Sequence, residues 1–456
     1  MKTKECVGGA AMKEIYIING EIYRDHCFQK GILYIHDGKI QYVADDEAGA
    51  GACLKNHSCQ LHAPLCGMFG PHSVNVAHYD SFIRVKSPTN CDAHLTESIF
   101  KTCSSLTETQ DHVQIVDAAG CKVVPGFLDI HTHGAVGVDI NDASADDLEK
   151  IGMFFAQHGT TSFLASVLTD TKEQTSWCIQ QYLDYLGRPR KGAQLLGIHL
   201  EGPFLASAYK GAMPEALLCA GDAGLVEQYQ KLAEGGIRYM TVSPEAEGVL
   251  EMIPKMKELG ITVAMGHSGA DYDTAMRAVE LGVRAVTHTG NAMRLLHQHE
   301  PAVFGAALES EAYCEMICDG RHLHPGTVRL IMKTKGMNRV VAVTDSIMAA
   351  GLADGNYHLG VNQVVVEDGD ARLADTGVRA GSTLLMDQAL RNLIAFTGRP
   401  LEEVLVLLTE NPARLIGVFD RKGSIAAGKD ADLVLLDQNN QIVSVMVGGE
   451  LCVSVI

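Results

Sequence analysis

Between Val123 and Ser346 the chain alternates eight short apolar runs with helix-length stretches, and that rhythm belongs to a parallel sheet built from βα units. The runs are VVPGFLDIH from Val123, TTSFLASV from Thr160, LLGIHLE from Leu195 and RYMTVS from Arg238. They continue with ITVAMGH from Ile261, RAVTH from Arg284, AYCEMICD from Ala312 and VVAVTD from Val340. Each is rich in β-branched or small apolar residues, as strands buried on both faces are. DYDTAMRAVELG from Asp271 and TVRLIMKTKG from Thr327 read as amphipathic helices between them. Eight strands with intervening helices predict an α/β fold, a (β/α)8 TIM barrel over residues 123–420.

Polar residues stand at the ends of these runs. His131 and His133 close the first, Glu201 the third, His267 the fifth, His288 the sixth and Asp345 the last. A metal-dependent hydrolase on a parallel barrel needs ligands and a carboxylate at successive strand ends. His131 and His133 lie two apart on a strand, so both face one side and can grip one metal together. Glu201 precedes Gly202-Pro203, where a carboxylate can bind or bridge metal; a solvated loop glutamate is the plainer alternative. His267 and His288 are each followed by small residues that leave room for a ligand, although a hydrogen-bonded core histidine would also fit either one alone. Asp345 can take a proton from water and pass it to a leaving amine, or it can simply cap a helix. The fourth run holds no lysine that could be carboxylated to bridge two metals, which leaves Glu201 as the evident substitute.

The two ends of the chain have a different period. Residues 12 to about 45 alternate as short strands around a turn at Asp37–Ile40, and the segment from Gly423 onward reads as hairpins. One small β module from both termini is expected, over 12–122 and 421–456. It carries an irregular insertion at about 46–112, with Cys53, Cys59, Cys66, Cys91 and Cys103 among His57, His62, His72, His78, His94 and His112. A second metal site there is the sharper reading. The spacing shows no CxxC pair or ligand rhythm, so an extended surface insertion is expected instead.

A net charge of −18 speaks against broad nucleic-acid binding. An anionic substrate would need a locally positive pocket of metal, His and Arg. No run reaches the ~18–20 apolar residues of a membrane span. The first residues lack the apolar stretch of a secretory signal, and Met12 is a candidate native start. Thirteen cysteines without a repeating framework fit reduced thiols and a cytoplasmic location.

The motifs PGFLDIHTHG, HLEGPF with the following KGA, GHSGA, THTGNAM, DGRH, VTDSIMAAG, and NPARLIG with GSIAAGKDADLVLLD resemble those of the N-acetylglucosamine-6-phosphate deacetylases of the amidohydrolase superfamily. The similarity covers roughly Met12–Asp45 and Asp117 to the C-terminus. The resemblance implies a barrel with a small β-sandwich domain formed by both chain termini. It implies that Glu201, His267 and His288 hold a divalent metal, Zn2+ or Fe2+, and that Asp345 is the general acid/base. Asn291 and Ala292 would contact the sugar, and Ala212, Arg379, Ala380 and Gly381 would line the pocket. His322 would bind the substrate phosphate from the neighbouring subunit, which implies a homodimer. The small-molecule partner would be an amino sugar phosphate, deacetylated to the free amine and acetate.

Three departures matter. Family members split over the first-strand HxH pair, and those without it tend to use one metal; this chain keeps the pair, so one or two ions per subunit are expected, with His131 and His133 on the second. Met213 stands where many members place a histidine that polarises the amide carbonyl; a second ion could polarise it instead. His299 stands where the family often carries a phosphate-binding Arg, and it lacks the guanidinium fork. Arg294 and Arg321 are near it in sequence. N-acetylgalactosamine 6-phosphate, an unphosphorylated amino sugar, or a non-catalytic sugar-phosphate sensor are the alternatives kept open.

Overall fold

The computed structural model describes residues 13–45, 113–189 and 191–454. The insertion at 46–112, with its metal-site question, and Met12 lie outside the described residues. Strands β1 (Glu14–Arg24), β2 (Cys27–His36) and β3 (Lys39–Asp45) form an antiparallel meander. Its two-residue turns, Asp25-His26 and Asp37-Gly38, all have positive φ, which matches the twist of paired strands. β4 (Val113–Asp117) and β5 (Lys122–Pro125) then pair with β1 in parallel.

The first apolar run divides here. Val123–Pro125 belongs to the terminal sheet, and the barrel begins only at β6 (Phe127–Thr132). Gly126 makes the transition: a Cβ there would lie 2.1 Å from the Thr161 hydroxyl, so only glycine lets the chain pass so close.

From β6 the βα alternation proceeds as expected. α1 (Ala145–Gln157) leads to β7 (Thr160–Leu168), α2 (Lys172–Leu186) to β8 (Gln194–Glu201) and α3 (Ala223–Leu232) to β9 (Ile237–Val242). α4 (Val249–Glu258) leads to β10 (Thr262–Met265), α5 (Tyr272–Leu281) to β11 (Ala285–Val286), α6 (Ala302–Glu309) to β12 (Tyr313–Ile317) and α7 (Pro325–Lys335) to β13 (Val340–Val343). Side-chain caps from Ser144, Thr171, Asp222 and Asp271 start α1, α2, α3 and α5. The eight strands are parallel and paired in sequence order, and a bridge from Thr132 to Ser346 brings the last back beside the first. This is a nearly closed TIM-type barrel. Alternation sorts its residues: Ile198 and Leu200 of β8 pack outward against helices, which leaves His199 and Glu201 inside.

Before α8 (Met386–Thr397) the chain inserts a feature the sequence reading did not anticipate. It is an antiparallel sheet of β14 (Gly355–Leu359), β15 (Asn362–Glu367) and β16 (Asp370–Leu373). The C-terminal strands β17 (Leu433–Leu436), β18 (Ile442–Val447) and β19 (Glu450–Ser454) then join β5. The terminal domain is thus one mixed sheet, ordered β19-β18-β17-β5-β1-β2-β3, with β4 beside β1. It folds back on itself, since Ile40 of β3 hydrogen-bonds Gly428 and Lys429 just before β17. The two halves enclose Ile15, Ile17, Leu33, Ile35, Leu433 and Leu435 as a sandwich would. Lys422, fully buried, pairs with Asp432 and lies 3.1 Å from Asp430 at this seam.

Candidate metal centre

Three barrel strands end the same way. Two residues past β10, β11 and β13 stand His267, His288 and Asp345, with φ of 49°, 29° and 49°. Non-glycine residues are rare in this left-handed region, and such strain collects at functional sites. Each turn breaks the pleat and brings the side chain to the same polar cluster at the barrel mouth. The break also shortens RAVTH, read as a five-residue strand, to a two-residue ladder at Ala285–Val286.

All six strand-end residues meet. Among the described residues, His131, His133 and Asp345 form one group able to hold a metal, and Glu201, His267 and His288 form another. Glu201 Oε1 lies 3.1 Å from His267 Nε2 and 3.2 Å from His288 Nε2, while Oε2 lies 3.2 Å from His133 Nε2. One carboxylate therefore faces both groups. Asp345 Oδ1 is 3.3 Å from His133 Nε2 and 3.5 Å from His131 Nε2. All six are buried.

The ring tautomers show what this arrangement fits. Nδ1 of His133 lies 3.0 Å from the Ser166 carbonyl, and Nδ1 of His267 lies 2.9 Å from the Tyr209 carbonyl. A carbonyl only accepts, so each Nδ1 donates and a neutral ring is left with its lone pair on Nε2. Those lone pairs aim at carboxylate oxygens and at other imidazoles, with His288 and His267 Nε2 only 3.1 Å apart. Acceptors crowded this closely call for cations between them, and imidazole with carboxylate suits Zn2+ or Fe2+. Protons are the alternative charge. Burial disfavours them on His131 and His133, yet the Asp345 and Glu201 carboxylates outweigh burial and raise both pKa values, that of His133 to about 9. The centre thus draws positive charge to itself. His199 lies just beneath, held by Ser166 Oγ at 2.8 Å and Thr241 Oγ1 at 2.9 Å, and burial keeps it neutral.

Above the cluster opens a cavity of about 700 Å³. Glu201, His133, His267, His288 and Asp345 line its floor, and fully buried His131 supports it from below. Ala212, Asn291, Ala292, His322, Arg379, Ala380 and Gly381 also line it, and so does Met213. His322 lines the cavity of its own chain, its Nδ1 2.7 Å from Asp319 Oδ2. His299 does not line the cavity; it sits exposed in the loop after β11, beside Gln298.

Arg372 also lines the cavity and was missed in the sequence. It sits on β16, and its Nη2 reaches Asp370 Oδ2 at 2.6 Å while Arg379 Nε reaches Oδ1 at 2.9 Å. Two guanidinium groups share one carboxylate, with Asp375 on the same rim.

Residues 122–452 match the amidohydrolase family, and residues 54–113 match a family of unknown function. An N-acetylglucosamine-6-phosphate deacetylase of Bacillus subtilis is 36% identical over 342 residues, 74% of this chain and 86% of that protein. An N-acetylgalactosamine-6-phosphate deacetylase of Escherichia coli O157:H7 is 34% identical over 340 residues, 74% of this chain and 90% of that one. The crystal structure of a mutant N-acetyl-D-glucosamine-6-phosphate deacetylase from Mycobacterium smegmatis, in complex with N-acetyl-D-glucosamine-6-phosphate, superposes with a TM-score of 0.77 at 27% identity. That match covers 98% of this chain and all of the other.

Proposed function

The chain belongs to the amidohydrolase family and, within it, to the N-acetylglucosamine-6-phosphate deacetylases, and from that membership we infer its reaction. It hydrolyses the acetamide of N-acetylglucosamine 6-phosphate to glucosamine 6-phosphate and acetate. The observation that carries this reading is the double group of ligands sharing Glu201 at the floor of the cavity.

When bound, divalent ions at Glu201/His267/His288 and at His131/His133/Asp345 supply Lewis acidity, make water acidic enough to react near neutral pH, and offer the carbonyl polarisation that Met213 does not. Asp345 Oδ takes the proton of the attacking water as its oxygen adds to the acetamide carbon. The same oxygen then gives that proton to the sugar nitrogen as the C–N bond breaks, so acetic acid and the neutral amine leave, and the acid's own proton passes to the amine or to solvent to give acetate. Asn291 and Ala292 orient the sugar, and Ala212, Ala380 and Gly381 bound it. His322, Arg372 and Arg379 draw the phosphate, with His299 left without a part in its own chain's cavity. Exposed Leu295 and Leu296, beside His299, support a homodimer through that loop. No helix among the described residues is long and apolar enough to cross a membrane. A cytoplasmic location completes the reading, supported by free Cys27, Cys121, Cys178 and Cys314.

The test is acetate release from both epimeric N-acetylhexosamine 6-phosphates and from plain N-acetylglucosamine, on protein of measured metal content. The phosphorylated glucosamine derivative should turn over fastest. Faster turnover of the galactosamine epimer would move this chain to the side of its Escherichia coli relative, and equal turnover of the plain sugar would remove the phosphate from the reading. Silence on all three with metal bound would leave a sensor. Arg372→Leu and Arg379→Leu should each raise KM for the phosphorylated sugar about tenfold or more, since a charge-assisted hydrogen bond contributes roughly 1.5–3 kcal/mol. Neither should change kcat/KM for the plain sugar.

A further inference from the structure

Below the metal centre a second carboxylate is buried where packing alone would favour an apolar side chain. Glu315 lies in the middle of β12 with no exposed surface. Cys314 and Met316 pack outward, so Glu315 projects into the barrel between Tyr313 and Ile317. Three donors converge on it. Oε2 receives His131 Nδ1–H at 3.0 Å and the His288 backbone N–H at 3.0 Å, and Oε1 receives the Tyr239 hydroxyl at 2.5 Å. Burying a carboxylate costs several kcal/mol unless its bonds are made. Here they are made to one residue from each ligand group and to β9, the strand with no lysine.

The four ligand histidines are not held alike. His133 and His267 donate Nδ1–H to neutral backbone carbonyls, and His288 Nδ1 has no hydrogen-bond partner among the described residues. Among these four rings His131 alone meets a second carboxylate through Nδ1. A carboxylate behind an imidazole fixes its tautomer and makes the far nitrogen a stronger donor to metal. Tyr239 remains a hydrogen donor to that carboxylate, because burial and then Glu315 itself push its phenol pKa well up.

We propose that Glu315 is a positioning residue that holds His131 with its Nε2 lone pair toward the centre and thereby secures the ion at His131, His133 and Asp345. The inference rests on the two-ion reading given above. Because the same oxygen anchors the His288 backbone, Glu315 also fixes the spacing between the two ligand groups.

The test strips the protein of metal, reloads it with Zn2+ alone, and counts ions per chain against a competing chelator. Wild type should hold two. Glu315→Gln keeps the volume and one acceptor but removes the charge. It should keep the first ion and release the second, with affinity for that ion lowered about 10–100-fold. Two ions held with wild-type affinity by Glu315→Gln would overturn the inference and leave the two-ion reading standing. A single ion in wild type would instead overturn the two-ion reading, and this inference with it. Should Glu315→Gln fail to fold, Glu315→Asp keeps the charge and withdraws it by one methylene. Undiminished affinity for two ions in that variant overturns the inference equally.

Discussion

Asp345→Asn should lower kcat about 10²–10⁴-fold while the protein stays folded and metal-loaded, because proton transfer by a placed side chain contributes that much. The substitution removes little else. Asparagine tolerates the left-handed backbone that Asp345 adopts at φ 49°. Its main chain keeps the N–H bond to the His131 carbonyl at 2.8 Å and the carbonyl's bond from the Ser382 N–H at 2.7 Å. An amide oxygen can still face His133 where Oδ1 now lies at 3.3 Å. What an amide cannot do is accept the water's proton and return it to the amine. The loss should therefore fall on kcat with KM nearly unchanged, the mark of a group needed in the transition state more than for binding. Metal content measured on the same sample separates this from ligand loss. Wild-type turnover in the metal-loaded variant would remove Asp345 from the proton path.

The barrel and its ligand set were legible for the same reason. Parallel strands buried on both faces leave continuous apolar runs, and a histidine or carboxylate ending such a run stands out against them. The inserted sheet β14–β16 was hidden because its strands are partly exposed and polar, so GNYHL and ARL do not look like barrel strands. Its local signals were two short turns, Gly360-Val361 with φ of 53° at the glycine and Asp368-Gly369 with φ of 51° and 73°. Arg372 was lost with it, since its place on the cavity depends on that sheet folding over the mouth. Gly126 shows a smaller failure: Val123 through His131 is one run by composition, and the contact with Thr161 that divides it is thirty-five residues away. Glu315 was inside a run already read as a strand. The parity of Tyr313, Glu315 and Ile317 would have placed it inside the barrel, but its partners His131 and Tyr239 come from other strands.

Glu201→Gln should be the more severe of the two replacements, removing both ions and activity together. Among the described residues Glu201 is the one carboxylate within reach of all four imidazoles: Oε1 lies within 3.5 Å of His131, His267 and His288, and Oε2 lies 3.2 Å from His133. Its backbone is held independently of its side chain, with its carbonyl accepting the Thr169 hydroxyl at 2.9 Å. Glutamine should thus occupy the same place in a folded barrel. However, it brings an N–H₂ toward Nε2 lone pairs or oxygens where a negative charge had stood, and that charge served both ion positions. Ion content should fall below one per chain, and kcat/KM should fall further than in Asp345→Asn. The variant should also lose the stabilisation that bound metal gives, about 2.7 kcal/mol for an ion at a hundred times its Kd. Its Tm should match that of chelator-treated wild type and should not rise when Zn2+ is added. This pairing of readouts distinguishes a shared ligand from an ordinary one. If Glu201 served only the His267/His288 position, the variant would keep one ion at His131, His133 and Asp345, together with part of the Tm gain. Retention of that single ion would show that the two positions are built separately, each with its own carboxylate.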